Sequence, residues 1–459
     1  MPTRLPAALG LALCGLLGCA SYEPDPLEPR ALLDALREVR LAEVDAEEVA
    51  PITSRFDPSD GLTLREASAV AVRRNPSLRA LRAAVGVAES RLIQAGLLPD
   101  PVVSWSSMEP AAELILEGKA ESVSWLSGFG INWRVPRPDE IDSREGVARA
   151  NLRASGVELA RAEWQLVRDT QLAYVRLLVA RESVAQRERL AGVARRALAF
   201  FERARGAGAA TALEEALART AALNVAAALA RARNEEQRAA LALNALLGLP
   251  PGVRFGLQDA LDREPQGELA EAAGPLVEGA LAGRPDFQAA QAAYQRAEEQ
   301  LRLQVSLQWP KLQIGTGISL QLPFFSRFNQ PGVEAARRAR DAARARVVAA
   351  THALRASIHL ALAQARQARA MLELYRRQLG PQVEASLRLA EQAFSAREVT
   401  PLEILTAQRQ VLETQGRYLS ACQDWAQARI RLDSACGRLL PSARTPLPSA
   451  SHPDSEESP

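Results

Sequence analysis

The chain has 459 residues, 47% hydrophobic yet only 5% aromatic, with a formal net charge of +2. Composition rich in Ala, Leu, Arg and Glu belongs to long helices more than to a mixed core. A near-neutral balance gives no bulk attraction to nucleic acid or anionic surfaces. No Ser/His/Asp arrangement, Gly-rich phosphate loop or catalytic carboxylate pair stands out, so neither an enzyme nor a cofactor is expected.

In chain order, residues 1–18 read as a secretory signal. Arg4 precedes an apolar run from Leu5 to Leu17 that is too short to span a membrane. The tetrad Leu16-Leu17-Gly18-Cys19 resembles a bacterial lipobox, whose cysteine becomes the lipidated first residue of the mature chain. The competing reading is an ordinary signal with an incidental cysteine. Ala20 follows, not the Asp that resembles an inner-membrane retention mark, which favours the outer membrane. Residues 19–60 are Pro- and acid-rich and read as a tether. Residues 441–459, rich in Ser and Pro, are expected to be disordered.

The body between them repeats itself. Asn75-Pro76 in one copy matches Arg284-Pro285 in the other, and Pro101 matches Pro310, both 209 residues on. Repeat one covers 61–252 and repeat two 276–440, with a linker at 253–275. Each opens with a helix, passes an extended stretch (101–136 and 310–323), and then enters long helical sequence. Residues 139–249 hold no proline, and Leu166, Leu172, Val175 and Leu178 recur at helical spacing. Each copy then breaks, near 206–214 and near 395–403. Thr211-x-x-Glu214 and Thr400-x-x-Glu403 have capping-box spacing, and Pro401 suits a first helical position. The breaks are therefore turns between long antiparallel helices.

Val123 to Val135 alternates, with Trp125, Phe129 and Trp133 among its apolar positions, and Pro101–Met108 with Trp105 is its weaker partner strand. Thirteen residues suffice for a tilted membrane strand, although a soluble sandwich strand alternates in the same way. Lys311 to Leu322 alternates too, but its interval between prolines is 13 positions against 35 in the first copy. A single strand there would strand the following helices across a membrane. A clipped hairpin turning at Gly315-Thr316-Gly317 is favoured instead, and its short arms put a complete barrel in doubt.

Cys422 and Cys436 lie 14 residues apart on one helix, about 21 Å, which excludes a disulfide and marks buried thiols. His352 and His359 sit at i, i+7 and, with His452, form no metal-ligand cluster.

Several segments together carry a family likeness. They are Asn75-Pro76, Leu246-Leu-Gly-Leu-Pro250, Leu322-Pro-Phe-Phe325, Ser326 to Gly332, Gly380-Pro381 and Thr400 to Leu412. Over Leu64–Leu440 the chain resembles the TolC-like outer-membrane efflux proteins, and Leu322 to Gln330 looks most like their heavy-metal branch. The resemblance implies a mainly α fold with a small membrane β-barrel part, as two helix–hairpin–helix repeats in a homotrimer. The trimer combines an α-barrel with a shared twelve-stranded β-barrel. It implies a periplasmic adaptor (membrane fusion) protein and an inner-membrane pump of resistance-nodulation-division type as partners. It also puts Glu403, with Glu214 as its counterpart, where acidic residues narrow a tunnel; capping with Thr400 and Thr211 is the plainer role. The expected function is an outer-membrane export channel subunit, lipid-anchored, with most of its mass in the periplasm. The alternative is a non-conducting scaffold of the same fold.

Overall fold

The computed structural model describes residues 22–38, 60–105, 129–261, 269–270, 272–315, 317–395 and 401–439. The chain divides into two compact units, Met1–Arg40 and Leu41–Pro459. In the first, helix α1 (Pro29–Glu38) stands within the segment that sequence reading treats as a tether.

In the second unit the two repeats are laid out alike. The first runs α2 (Leu64–Arg74), α3 (Pro76–Ala95), β1 (Val102–Trp105), β2 (Phe129–Val135), α4 (Glu140–Gly206) and α5 (Ala212–Leu247). The second runs α6 (Gly274–Gly283), α7 (Pro285–Ser306), β3 (Lys311–Gly315), β4 (Ile318–Gln321), α8 (Gln330–Leu374), α9 (Gly380–Ser395) and α10 (Pro401–Ala435). At 67 residues α4 is about 100 Å long, too long for one globular core. It packs instead along α5, α3, α7, α2 and α10 in turn.

Burial on α4 is deepest from Trp164 to Ala180, where α2 and α10 lie against it. Of the apolar residues expected on its packed face, Val175 is buried whereas Leu166, Leu172 and Leu178 are only half-buried. The deep seam is Trp164, Val167, Thr170, Tyr174 and Leu177, which itself follows three- and four-residue steps. Several helices press on this stretch, so burial spreads beyond a single stripe.

Two apolar cores share α10 as a wall. Cys422 and Trp425 face a core with Phe287, Leu354, Ile358 and Leu362. Leu419 and Ile430 face another with Val72, Leu78, Trp164 and Val167. Both cysteines are buried, as their spacing implied.

Pseudo-symmetry extends to individual hydrogen bonds. Asn75 starts α3 by accepting from Ser77 N–H at 2.9 Å, with Pro76 in the first position, where its missing N–H costs nothing. Its amide also donates to Leu246 O, at the end of α5, at 3.0 Å. Arg284 is its counterpart before Pro285 and donates to Ala435 O, at the end of α10, at 3.4 Å. Gly248 and Gly437 close those two helices with φ of 69° and 72°. A Cβ on Gly248 would come within 3.0 Å of Arg74 O, and one on Gly437 within 2.9 Å of Gly283 C. Left-handed backbone and close approach together require glycine at both ends.

Beyond the unequal hairpins, the repeats differ in the helical stretch that follows. Sequence reading expects one long helix after each hairpin, but in repeat two a π turn at Tyr375–Leu379 separates α8 from α9. Pro381 has no N–H for Arg377 O, and Gly380 N–H reaches back five residues to Tyr375 O. Gly380-Pro381 thus explains the break. The equivalent stretch of α4 is continuous.

Candidate functional site

Two regions carry the functional expectations, the sheet and the helix-turn tips. The sheet is antiparallel in the order β1-β2-β3-β4, joining both hairpins. Its register pairs Val103 with Ile131, Trp133 with Ile314, Val135 with Leu312, Ile314 with Ile318 and Leu312 with Leu320. Directly opposed residues share a face, so these form one apolar surface across four strands. The other face collects Ser104, Gly130, Asn132, Arg134, Gln313, Lys311, Ser319 and Gln321, with Val102 as the exception. The apolar surface is uncovered in this chain: Ile318 is 79% and Val103 58% exposed. A soluble sandwich would bury that face against a second sheet. Apolar-out and polar-in is the pattern of a barrel wall in lipid.

Among the expected strand aromatics, Trp105 and Phe129 are Cα partners in the register of β1 and β2. Trp133 lies in β2 and its indole N–H donates to Pro99 O at 2.8 Å, tying the strand to the connector between α3 and β1. Trp125, with residues 123–128 of the expected strand, lies outside the described residues. The second hairpin is as short as its prolines demand. Arms of five and four residues reach about 17 Å at most, below the roughly 25 Å apolar band of a membrane barrel.

Sheet and helices end alike. In the layer next to the strands α3 packs on α4, α4 on α7, and α7 on α8. Thus α3 with β1, and α8 with β4, are the outer members on opposite sides. The outward face of α8 repeats alanine every seven residues, at 335, 342, 349, 356, 363 and 370, all exposed. Such small residues allow a neighbouring helix to approach closely.

At the first tip the capping box is complete. Glu214 N–H donates to Thr211 Oγ1 at 3.2 Å, while Glu214 Oε2 accepts from Thr211 N–H at 2.7 Å and Thr211 Oγ1 at 2.8 Å. These bonds from Thr211 hold the Glu214 carboxyl below its ordinary pKa. Glu215 is bound by Arg205 and Arg219, and the Arg205 bond lowers its pKa. Leu213 and Leu223 stand exposed beside this tip. At the second tip α10 begins at Pro401 and includes Glu403. Thr400, with the rest of the turn from 396, lies outside the described residues, and so does Cys19.

Sequence reading missed two sites. Thr63 and Glu66 form a capping box on α2 identical in spacing to that of Thr211, a legible pattern. Tyr174 was not legible. Its buried hydroxyl donates to Leu62 O at 2.7 Å and accepts from Asp259 N–H at 3.3 Å, while Asp259 accepts from Leu64 N–H at 2.6 Å. Burial raises the pKa of this phenol. The linker is thereby strapped to the start of repeat one, where Leu62 also bridges Leu257.

Among the described residues no group of three His, Cys, Asp or Glu could hold a metal ion. His352 and His359 are both exposed on α8. No described helix is long and apolar enough to cross a membrane.

Comparison with known proteins agrees with this geometry. A family model described as outer membrane efflux protein matches residues 68–249 and 276–438, one match per repeat. The cobalt-zinc-cadmium resistance protein CzcC of Cupriavidus metallidurans is 26% identical over 397 residues, covering 82% of this chain and 90% of that protein. Among solved structures, a membrane protein from Pseudomonas aeruginosa superimposes with a TM-score of 0.68 at 19% identity, covering 82% of this chain and 93% of that one. The CmeC outer membrane channel of Campylobacter jejuni gives 0.68 at 13% identity, with 88% and 94% covered.

Proposed function

We infer the role of this chain from the premise that it belongs to the outer membrane efflux protein family: it is the outer-membrane channel subunit of a three-part export system. The observation that carries this reading is the four-stranded sheet, with a continuous apolar face and an edge strand on each side. Open edges are not tolerated in lipid, so β1 of one copy must pair with β4 of the next until a ring closes. In the family that ring is a trimer, which works with an adaptor and an inner-membrane pump.

Finer points are our proposals. Cys19 carries the lipid that anchors the chain, supported by Leu16-Leu17-Gly18-Cys19. The pump is of the resistance-nodulation-division type and the cargo is a divalent transition-metal ion. Similarity to a cobalt-zinc-cadmium resistance protein and the segment Leu322 to Gln330 support that choice. Glu214, bonded to Thr211, and Glu403, at the same spacing after Thr400, line the periplasmic mouth. Their spacing after each break supports this, since acidic rings select cations. The domain limits stay as read from sequence.

The short arms of β3 and β4 favour one second reading, a scaffold that does not conduct. Single-channel recording of the purified protein in planar bilayers separates the two. Stepwise, cation-preferring conductance supports the channel, and silent insertion of intact trimers supports the scaffold.

A further inference from the structure

We propose that helix α1, Pro29–Glu38, is a membrane-surface helix that lies on the phospholipid leaflet beside the lipid on Cys19. The proposal rests on the lipoprotein reading above. Residues advance about 100° around a helix axis at each step. On that basis Arg37, Arg30, Asp34 and Glu38 fall within one arc of about 100°. Pro29, Ala31, Leu32, Leu33, Ala35 and Leu36 take the remaining circumference. Segregation so complete marks a helix that presents one side to an apolar surface.

The described side chains of that side are exposed. Leu32 is 48% exposed and Leu33 57%, and Leu27, just before the helix, is 78% exposed. A ten-residue helix is marginal in water even for favourable sequences, which need about 12–15 residues, so a covering surface has to stabilise it.

Reach identifies that surface. Ten residues separate Cys19 from Pro29, at most about 36 Å when fully extended. A lipidated Cys19 therefore holds α1 permanently within a tether's length of the leaflet, at high effective concentration. Charge identifies the mode of binding. Two arginines and two acids balance on the polar arc, and Glu23, Asp25 and Glu28 precede the helix, so nothing draws it to anionic headgroups. The contact is apolar, and it is insensitive to salt.

The test uses the full mature protein in phosphatidylethanolamine/phosphatidylglycerol vesicles, with NBD attached to a cysteine at single positions. Cys422 and Cys436 are buried and the sulfur of a lipidated Cys19 is no longer a thiol, so label enters at the new site, and the unsubstituted protein labelled in parallel reports any label at Cys19. Leu33→Cys and Leu32→Cys report on the apolar side, Asp34→Cys and Arg30→Cys on the polar arc. The expected result is blue-shifted emission at 32 and 33, quenched by brominated acyl chains at least threefold more than at 30 and 34, and unchanged in 0.5 M salt. Equal quenching at all four positions overturns the proposal. So does a blue shift at 33 without quenching, which means that protein covers the face. Intact-mass spectrometry of the same samples reads the anchor separately. Acyl groups on Cys19 without selective quenching sink the helix proposal alone. Selective quenching without acyl groups sinks the lipoprotein reading and leaves the helix on the membrane.

Discussion

Arg284 offers the sharpest test of how the repeats are joined. Its side chain is 9% exposed and forms an ion pair with Asp286 at the start of α7. Nε donates to Asp286 Oδ1 at 2.9 Å, and Nη2 donates to the other carboxylate oxygen. Nη1 reaches Ser357 Oγ on α8 at 2.6 Å and Ala435 O at 3.4 Å. The guanidinium also lies 5.6 Å from the ring of Trp164 on α4, so one side chain ties four helices across both repeats. Removing one partner of a buried pair costs about 3–5 kcal/mol. The Asp286 side chain is 33% exposed and recovers some hydration, which places Arg284→Ala near the lower limit, about 3 kcal/mol. Arg284→Lys keeps the charge but loses the fork, at a cost of about 2 kcal/mol. Asn75→Ala loses a helix cap and one bond to Leu246 O, also about 2 kcal/mol. The control is Arg338→Ala, whose side chain is 81% exposed, with an expected change of about 0.5 kcal/mol or less. Guanidinium unfolding followed by far-UV circular dichroism, at fixed protomer concentration in one detergent, orders the four variants. If Arg284→Ala unfolds at the midpoint of Arg338→Ala, the joint contributes nothing and the reasoning fails.

Four further outcomes are expected. Ile318→Arg, on the apolar face, blocks assembly in the outer membrane at a cost of about 2–4 kcal/mol near mid-bilayer, whereas Ser319→Arg on the opposite face is tolerated; equal yields of membrane trimer would contradict the register. Thr211→Ala weakens the first tip by about 1 kcal/mol. Because the Glu214 carboxyl is held below its ordinary pKa by Thr211, the cap's contribution is full above the unfolded value and fades as pH falls through the folded one. The protection factor at 212–215, with the intrinsic exchange rate at each pH divided out, should therefore fall on acidification in wild type and change less in Thr211→Ala. Glu403→Gln should leave trimer stability unchanged and lower cation preference in bilayers, with unchanged selectivity reducing Glu403 to a capping role. Cys19→Ser should remove acyl mass from the mature protein, and acyl-free wild type would refute the anchor.

Periodicity and punctuation alone determined much of this protein. Proline positions located both hairpins and their unequal lengths, because proline removes a ladder donor and fixes φ wherever the chain lies. Thr211 and Glu214 announced a helix start, since a capping box closes within four residues and needs no distant partner. Alternation from Lys311 to Leu322 revealed an apolar side, yet could not say whether a second sheet covered it. Only the register across β1 to β4 joined the two hairpins into one exposed apolar wall, because strand pairing unites residues some 180 positions apart. Arg284 and Tyr174 lay beyond sequence for the same reason. Arg284 looked like one more arginine before a proline, and its task depends on Ser357, Ala435 and Trp164 arriving from three other helices. Tyr174 acts only because burial brings Leu62 and Asp259 to its hydroxyl. Local chemistry places the elements, whereas long-range packing decides which polar groups must find each other once water is gone.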